Sequence, residues 1–223
     1  MQYLNFALRC LVIAAAFLYI EVEKRYKLAV FFKGLASAMY VFFGYLGSTL
    51  CSDPAFAKLV LTGLGLGLAA DVLLNLRFLS EKHGRKIFMA GILVFLAGHV
   101  MYIAALAPLC GNIVIWLLIG AVLTIVILKI IFSRITADKK LKIFGIFYIG
   151  AVVLMTAVAI GNLIAAPSSA RWLYALGAVL FTVSDVVLIF NTFGSETKFS
   201  LRITNLSLYY LGQLFIASSL FFV

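Results

Sequence analysis

The sequence predicts an all-α, polytopic membrane protein of eight transmembrane helices arranged as a 4+4 parallel tandem repeat. Three observations predict it. Hydrophobic residues fill 65% of the 223 positions and charged residues only 12%, against roughly 25% charged in soluble domains, and mean hydropathy is +1.17. Basic residues gather in short gaps between long apolar runs. A shift of 114 residues, Asp71 onto Asp185, lays the second half of the chain on the first.

A helix crossing ~30 Å of hydrocarbon needs about 20 mostly apolar residues, and eight runs qualify. The first, residues 4–20, lacks the basic start and small-residue cleavage site of a secretory signal, so it reads as a retained helix closed by Lys24, Arg25 and Lys27. The second (28–50) carries Lys33 near its start and ends before Pro54. The third (59–79) contains "GLGLGLAADVLL" and runs into the basic loop "EKHGRK". The fourth (87–109) holds His99 and Tyr102 and closes at Pro108 and Gly111. The fifth (112–133) leads into another basic loop, and the sixth (141–165) holds Tyr148 and stops before Pro167. The seventh (172–193) contains Asp185, and the eighth (203–223) carries Tyr210 and Gln213. Turn formers thus fall between spans, where breakers belong. No segment is left for a soluble domain, so residues 1–223 read as a single transmembrane domain.

The loops after spans 1, 3, 5 and 7 hold 14 of the 18 Lys and Arg residues, whereas the opposite loops hold only Lys58 and Arg171. By the positive-inside rule the former are expected on the cytoplasmic side and both termini on the other. The net charge of +10 is therefore a signature of topology, with no nucleic acid expected as partner. Short loops and the lack of a targeting segment point to a bacterial inner (plasma) membrane, with an endomembrane as the alternative. Oligomeric state leaves no mark on the sequence.

The shift of 114 residues places Gly63 on Gly177, Leu66 on Leu180, Asp71 on Asp185, Leu74 on Leu188 and Gly98 on Gly212. The repeat units are about 4–110 and 112–223. With an even number of helices per unit, both halves insert the same way up around an axis along the membrane normal, which places corresponding residues at equal depth. Asp71 and Asp185 both fall about 12 Å from the cytoplasmic ends of their spans, at ~1.5 Å per residue. An ionisable group inside a span costs at least ~2.5 kcal/mol on insertion scales, so each marks a candidate functional site. Two carboxyls that approach closely cannot easily both ionise, which supplies a general acid beside a carboxylate base.

Further polar groups lie at compatible depths. Asn75 is one turn beyond Asp71, and His99 lies 28 residues after Asp71 as Gln213 lies 28 after Asp185. Tyr102, Tyr148, Tyr210 and Lys33 complete a polar pocket in the inner half of the bundle. Each has a plainer alternative: Asp71 as an ion-pair partner of Lys33, Lys33 as a residue snorkelling to the interface, His99 as an interface histidine. The glycines of "GLGLGLAAD" sit inside a span and read as helix-packing positions. Two histidines, one in a loop, are too few for a zinc site of three protein ligands, so no metal is expected. Cys10, Cys51 and Cys110 form no CxxC pair and read as packing residues. No GxSxG elbow occurs, although Ser184 adjoins Asp185. On the residues alone, an enzyme and a proton-coupled transporter are equally served, with an unbroken set of spans counting against the transporter.

The segments "GLGLGLAADVLL", "FLAGHVMYIAAL", "GAVLFTVSDVVLIFNTF" and "YYLGQLFIASSL", in that order, resemble the signature blocks of the lysoplasmalogenase family, the YhhN-like membrane proteins. The likeness extends over nearly the whole chain, with one departure: Ala70 stands where the family often has glycine. The resemblance implies an eight-span hydrolase that cleaves the vinyl ether bond of lysoplasmalogens, releasing a fatty aldehyde and a glycerophospho-base, with Asp71 and Asp185 as the catalytic pair. The expected partners are a lysophospholipid substrate and membrane lipid, and no cofactor is required. Protonating the β-carbon of a vinyl ether generates an oxocarbenium ion, a task that two carboxyls suit. Asp185, between Val183 and Val186, is expected to be the acid, and Asp71, with Asn75 nearby, the ionised partner. Lys33 is the expected phosphate ligand, and Asn75, His99, Tyr102, Tyr148, Tyr210 and Gln213 are expected around the substrate.

Overall fold

The computed structural model describes residues 2–223, with side chains from Asn5 onward. The described residues form eight α-helices: α1 (Gln2–Val22), α2 (Tyr26–Ser48), α3 (Pro54–Leu76), α4 (Gly84–Leu106), α5 (Ile113–Phe132), α6 (Lys139–Ala165), α7 (Ser169–Phe193) and α8 (Phe199–Ser219). Single 3₁₀ turns, Arg77–Leu79 and Ala107–Leu109, extend α3 and α4. No strand occurs among the described residues.

Several helices begin earlier than apolarity alone predicts because caps extend them. The Asp53 carboxylate accepts from the amides of Ala55 and Phe56 at 3.0 Å each, with Pro54 filling the first helical position. Asp138 accepts from the Leu141 amide at the start of α6, and the Ser168 hydroxyl accepts from the Arg171 amide at the start of α7. Asp138 also pairs with Arg85.

Among the described residues seven helices are long and apolar enough to cross a membrane, one fewer than the eight spans expected from the sequence. The exception is α8, which has the length, 21 residues, but carries Ser200, Arg202, Thr204, Asn205, Ser207 and Gln213. Part of this polarity faces protein: Asn205 and Gln213 are buried and serve hydrogen bonds inside the bundle, whereas Ser200, Thr204 and Ser207 are exposed.

Extensive contacts join α2 to α3, α3 to α4, α4 to α6, α6 to α7, α7 to α8, and α8 back to α2. These six helices close a ring. Outside it, α1 packs on α2 and α8, and α5 packs chiefly on α6. The α7–α8 seam is drawn tight by glycine: a Cβ on Gly177 would stand 2.7 Å from the Gly212 carbonyl oxygen, and one on Gly212 2.9 Å from that of Gly177. Hydrocarbon offers no hydrophobic drive between helices, so such backbone-to-backbone approach supplies the packing. At one end of the bundle the α5–α6 and α7–α8 links meet through the Thr136 amide and the Phe193 carbonyl at 2.9 Å, and Glu21 meets Arg202. At the other, the Ser52 amide donates to the Val223 carbonyl at 3.0 Å. All three cysteines are free, with Cys10 buried between α1 and α2.

Candidate functional site

A cavity bounded by the helices of the ring and, on one side, by α5 lies at the end that gathers the basic loops, and Asp71 and Asp185 both line it. Each is eight residues from the end of its helical segment, at Leu79 and Phe193 respectively, so the two sit at matching depth. Both are almost fully buried, at 2% and 3% exposure. Its walls are mostly apolar, from Leu74, Phe78 and Phe88 on one side to Ile131, Leu188 and Phe193 on the other. No hydrogen bond joins the two carboxyls. Each is held by its own partners.

Asp71 is met by donors from two helices. Along one face of α2, Lys33, Ser37 and Tyr40 recur at i, i+4 and i+7. Lys33 Nζ lies 3.0 Å from Asp71 Oδ1, the Ser37 hydroxyl donates to Oδ2 at 2.6 Å, and Tyr40 reaches Oδ2 at 3.4 Å. From α8, the Tyr209 hydroxyl donates to the same oxygen at 2.6 Å. The Lys33 ammonium also lies over the rings of Phe17, Tyr209 and Tyr210 at 5.2, 4.8 and 4.9 Å, which helps to keep a charge in an apolar bundle. Lys33 is 6% exposed. It therefore does not snorkel to the interface, and the ion pair with Asp71 is the alternative that the geometry realises.

Among the described residues Asp185 has a single hydrogen-bond partner, the Tyr148 hydroxyl of α6, which donates to Oδ2 at 2.6 Å. Its Oδ1 has no hydrogen-bond partner among the described residues. Next to it, Ser184 is committed elsewhere: its hydroxyl donates to the Asn205 carbonyl at 3.0 Å, and the Asn205 amide returns bonds to the Ser184 carbonyl and hydroxyl at 2.9 and 2.8 Å. Ser184 thus latches α7 to α8 and has no histidine attending it.

Of the residues singled out in the sequence, Lys33, Asn75, Tyr148 and both aspartates line the cavity. Tyr102 and Gln213 stand behind it and connect to it: Tyr102 donates to Gln213 Oε1 at 3.0 Å, Gln213 Nε2 donates to the Tyr209 hydroxyl at 3.4 Å, and Tyr209 donates to Asp71. His99 is an interface histidine. Its Nδ1–H donates to the Phe95 carbonyl at 2.8 Å, its Nε2 is buried without a partner, and its ring packs edge-on to Phe181 and Tyr148. Tyr210 supports Lys33 with its ring while its neighbour Tyr209 takes the cavity wall. Ser37, Tyr40 and Tyr209 went unnoticed in the sequence; the i, i+4, i+7 polar stripe on α2 was the available signal. Arg77, Lys142 and Arg202 also line the cavity, although the loop count treats them only as topology. No three His, Cys, Asp or Glu side chains among the described residues form a metal-ligand set.

Residues 28–220 match the family model described as the YhhN family. The chain belongs to the YhhN family. This is the family of lysoplasmalogenases, so membership suggests a lysoplasmalogenase-type hydrolase. No match appears among curated proteins or among solved structures.

Proposed function

We propose that this YhhN-family protein is an integral-membrane hydrolase that cleaves the vinyl ether bond of lysoplasmalogens to a fatty aldehyde and a glycerophospho-base. The observation that carries the reading is the pair of carboxyls at matching depth in one apolar cavity, in which one is saturated with donors and the other is nearly free. Asp185 is the acid. Its Oδ1, unpartnered, delivers a proton to the β-carbon of the vinyl ether, while Tyr148 holds the other oxygen. The resulting oxocarbenium ion lies in a cavity where charge is poorly screened, so nearby carboxylates stabilise it strongly. Asp185, now ionised, accepts a proton from the water that adds to the cation, and the hemiacetal collapses to aldehyde and alcohol. Asp71, an acceptor toward all four of its partners, serves as the fixed carboxylate that organises the wall facing the substrate.

The rival reading, a proton-coupled transporter built on the same aspartates, is less well supported. Transporter sites are typically formed by discontinuous helices, whereas α3 and α7 run unbroken through Asp71 and Asp185. We further propose that α8 is an eighth span, that the bundle is a 4+4 tandem repeat, and that the basic end faces the cytoplasm of a bacterial cell. The repeat is supported by the ring, in which each contact in one half (α2–α3, α3–α4) has its counterpart in the other (α6–α7, α7–α8). It is also supported by Gly98, whose Cβ would stand 3.2 Å from the Gly63 carbonyl oxygen, as Gly212 approaches Gly177.

The decisive experiment is incubation of the purified protein with an alkenyl-glycerophosphocholine or alkenyl-glycerophosphoethanolamine, with release of fatty aldehyde as the readout. Wild type is expected to release it, and Asp185→Asn to release almost none. Absence of aldehyde with wild type overturns the reaction, and full activity of Asp185→Asn overturns the acid.

A further inference from the structure

The cation expected to bind phosphate, Lys33, is spent on Asp71. Arg202, at the mouth, is spent as well: its Nε and terminal nitrogen hold both oxygens of Glu21, at 2.9 and 2.7 Å. Arg77 differs from both. It lines the same cavity, and its side chain makes no ion pair or hydrogen bond among the described residues. Its Nε is buried without a partner, a desolvated donor that is unfavourable unless something accepts from it. Its guanidinium carbon lies 4.6 Å from the ring centre of Phe78 and 4.5 Å from that of Phe88. Contacts of this kind help to hold the guanidinium in place, and arginine is the side chain whose fork recognises phosphate with two parallel bonds.

We propose that Arg77 is the phosphate ligand of this cavity and selects lipids that carry a glycerophosphate head over those that do not. The proposal rests on the hydrolase reading given above, and the spacing supports it. Arg77 follows Asp71 by six residues, about 9 Å along a helix axis. In a lysoplasmalogen the ether oxygen and the phosphorus are five bonds apart, about 6 Å when extended, a gap that two side chains of different length close readily. Phosphate held at Arg77 brings the vinyl ether to the level of the carboxyls.

The test compares two substrates, an alkenyl-glycerophosphocholine and the corresponding alkenylglycerol without phosphate, on wild type, Arg77→Gln, Arg77→Lys and Arg85→Gln. Arg85 belongs to the same basic end but pairs with Asp138 outside the cavity, so its variant controls for general loss of charge. Arg77→Gln is expected to lower the preference for the phosphate-bearing substrate, as the ratio of kcat/KM values, by about 10- to 100-fold. The loss is expected to fall on KM, with Arg77→Lys intermediate because a point charge replaces a fork. An unchanged ratio in Arg77→Gln, or an equal change in Arg85→Gln, overturns the proposal. A second arm measures binding of a non-hydrolysable 1-O-alkyl lysophospholipid and of 1-O-alkylglycerol to the Asp185→Asn protein, with and without Arg77→Gln. Tighter binding of the phosphate-bearing lipid, lost with Arg77, supports the site even if no aldehyde is ever released, so failure of the reaction and failure of the phosphate site are separable. Displacement of that lipid by inorganic phosphate identifies a general phosphate site, and resistance to it a lipid headgroup site. Binding that ignores the phosphate overturns both.

Discussion

The two aspartates occupy one cavity at one depth, yet their surroundings diverge. Asp71 faces a lysine, a serine and two tyrosines from α2 and α8, whereas Asp185 has one tyrosine from α6. The contrast teaches how two carboxyls in one cavity come to differ through their partners alone. The helices bring both to one cavity, and the neighbours then decide whether a carboxyl is locked in place or left able to exchange a proton. In the proposed hydrolase the locked one builds the wall and the free one faces the substrate.

The largest test of that contrast is Asp185→Asn. An amide cannot transfer the proton, so kcat is expected to fall by about 10²- to 10⁴-fold, while thermal unfolding in detergent stays near wild type because the Asn carbonyl still accepts from Tyr148. If Asp71→Asn loses as much activity with its stability intact, the division of roles fails. Asp71→Asn is instead expected to destabilise the bundle by about 3–5 kcal/mol, because it leaves Lys33 buried without its counter-ion. Adding Lys33→Met should restore the unfolding temperature, and no recovery in the double variant would show that the pair is not what Asp71 stabilises. Tyr209→Phe, which removes one charge-assisted bond and strands Gln213, is expected to cost about 1.5–3 kcal/mol, more than Ser184→Ala at about 0.5–1.5 kcal/mol, both read by thermal unfolding. The smallest effect belongs to a third carboxyl outside the cavity. The Leu141 amide and then Arg85 hold Asp138 below the usual carboxylate range, so its contribution is complete above the ordinary pKa of 3.8 and is lost as the pH falls through the lowered folded value. Asp138→Asn is expected to leave aldehyde release unchanged. A substantial loss of release would tie this loop to the cavity and blur the distinction between carboxyls inside and outside it.

Much of this was legible in the chain. Helix number and order follow from apolar runs, and the aspartates stand out because a charge inside a span has to be explained. The glycines of "GLGLGLAAD" read as packing positions, and Gly63 among them does meet α4 closely at Gly98. What the sequence concealed has identifiable physical causes. Tyr209 and Tyr210 are adjacent on α8 and point about 100° apart, so only the rotation of that helix in its packing decides which one meets Asp71. Arg77 reads as a flanking charge because arginines that set topology and arginines that bind ligands look alike in a loop count. The 3₁₀ turn, which sets its side chain between Phe78 and Phe88, is visible only in three dimensions. For α8, polarity that serves the interior dilutes the signal by which a span is recognised.

The closure of the ring by α8 also sets an order of events in the making of the protein. During synthesis, α2 and α3 enter the bilayer well before α8 exists, so the Lys33–Asp71 pair must wait in lipid without Tyr209, and the mouth of the cavity without Arg202. Arrival of the last helix shields the pair, completes the wall and shuts the ring in one stroke.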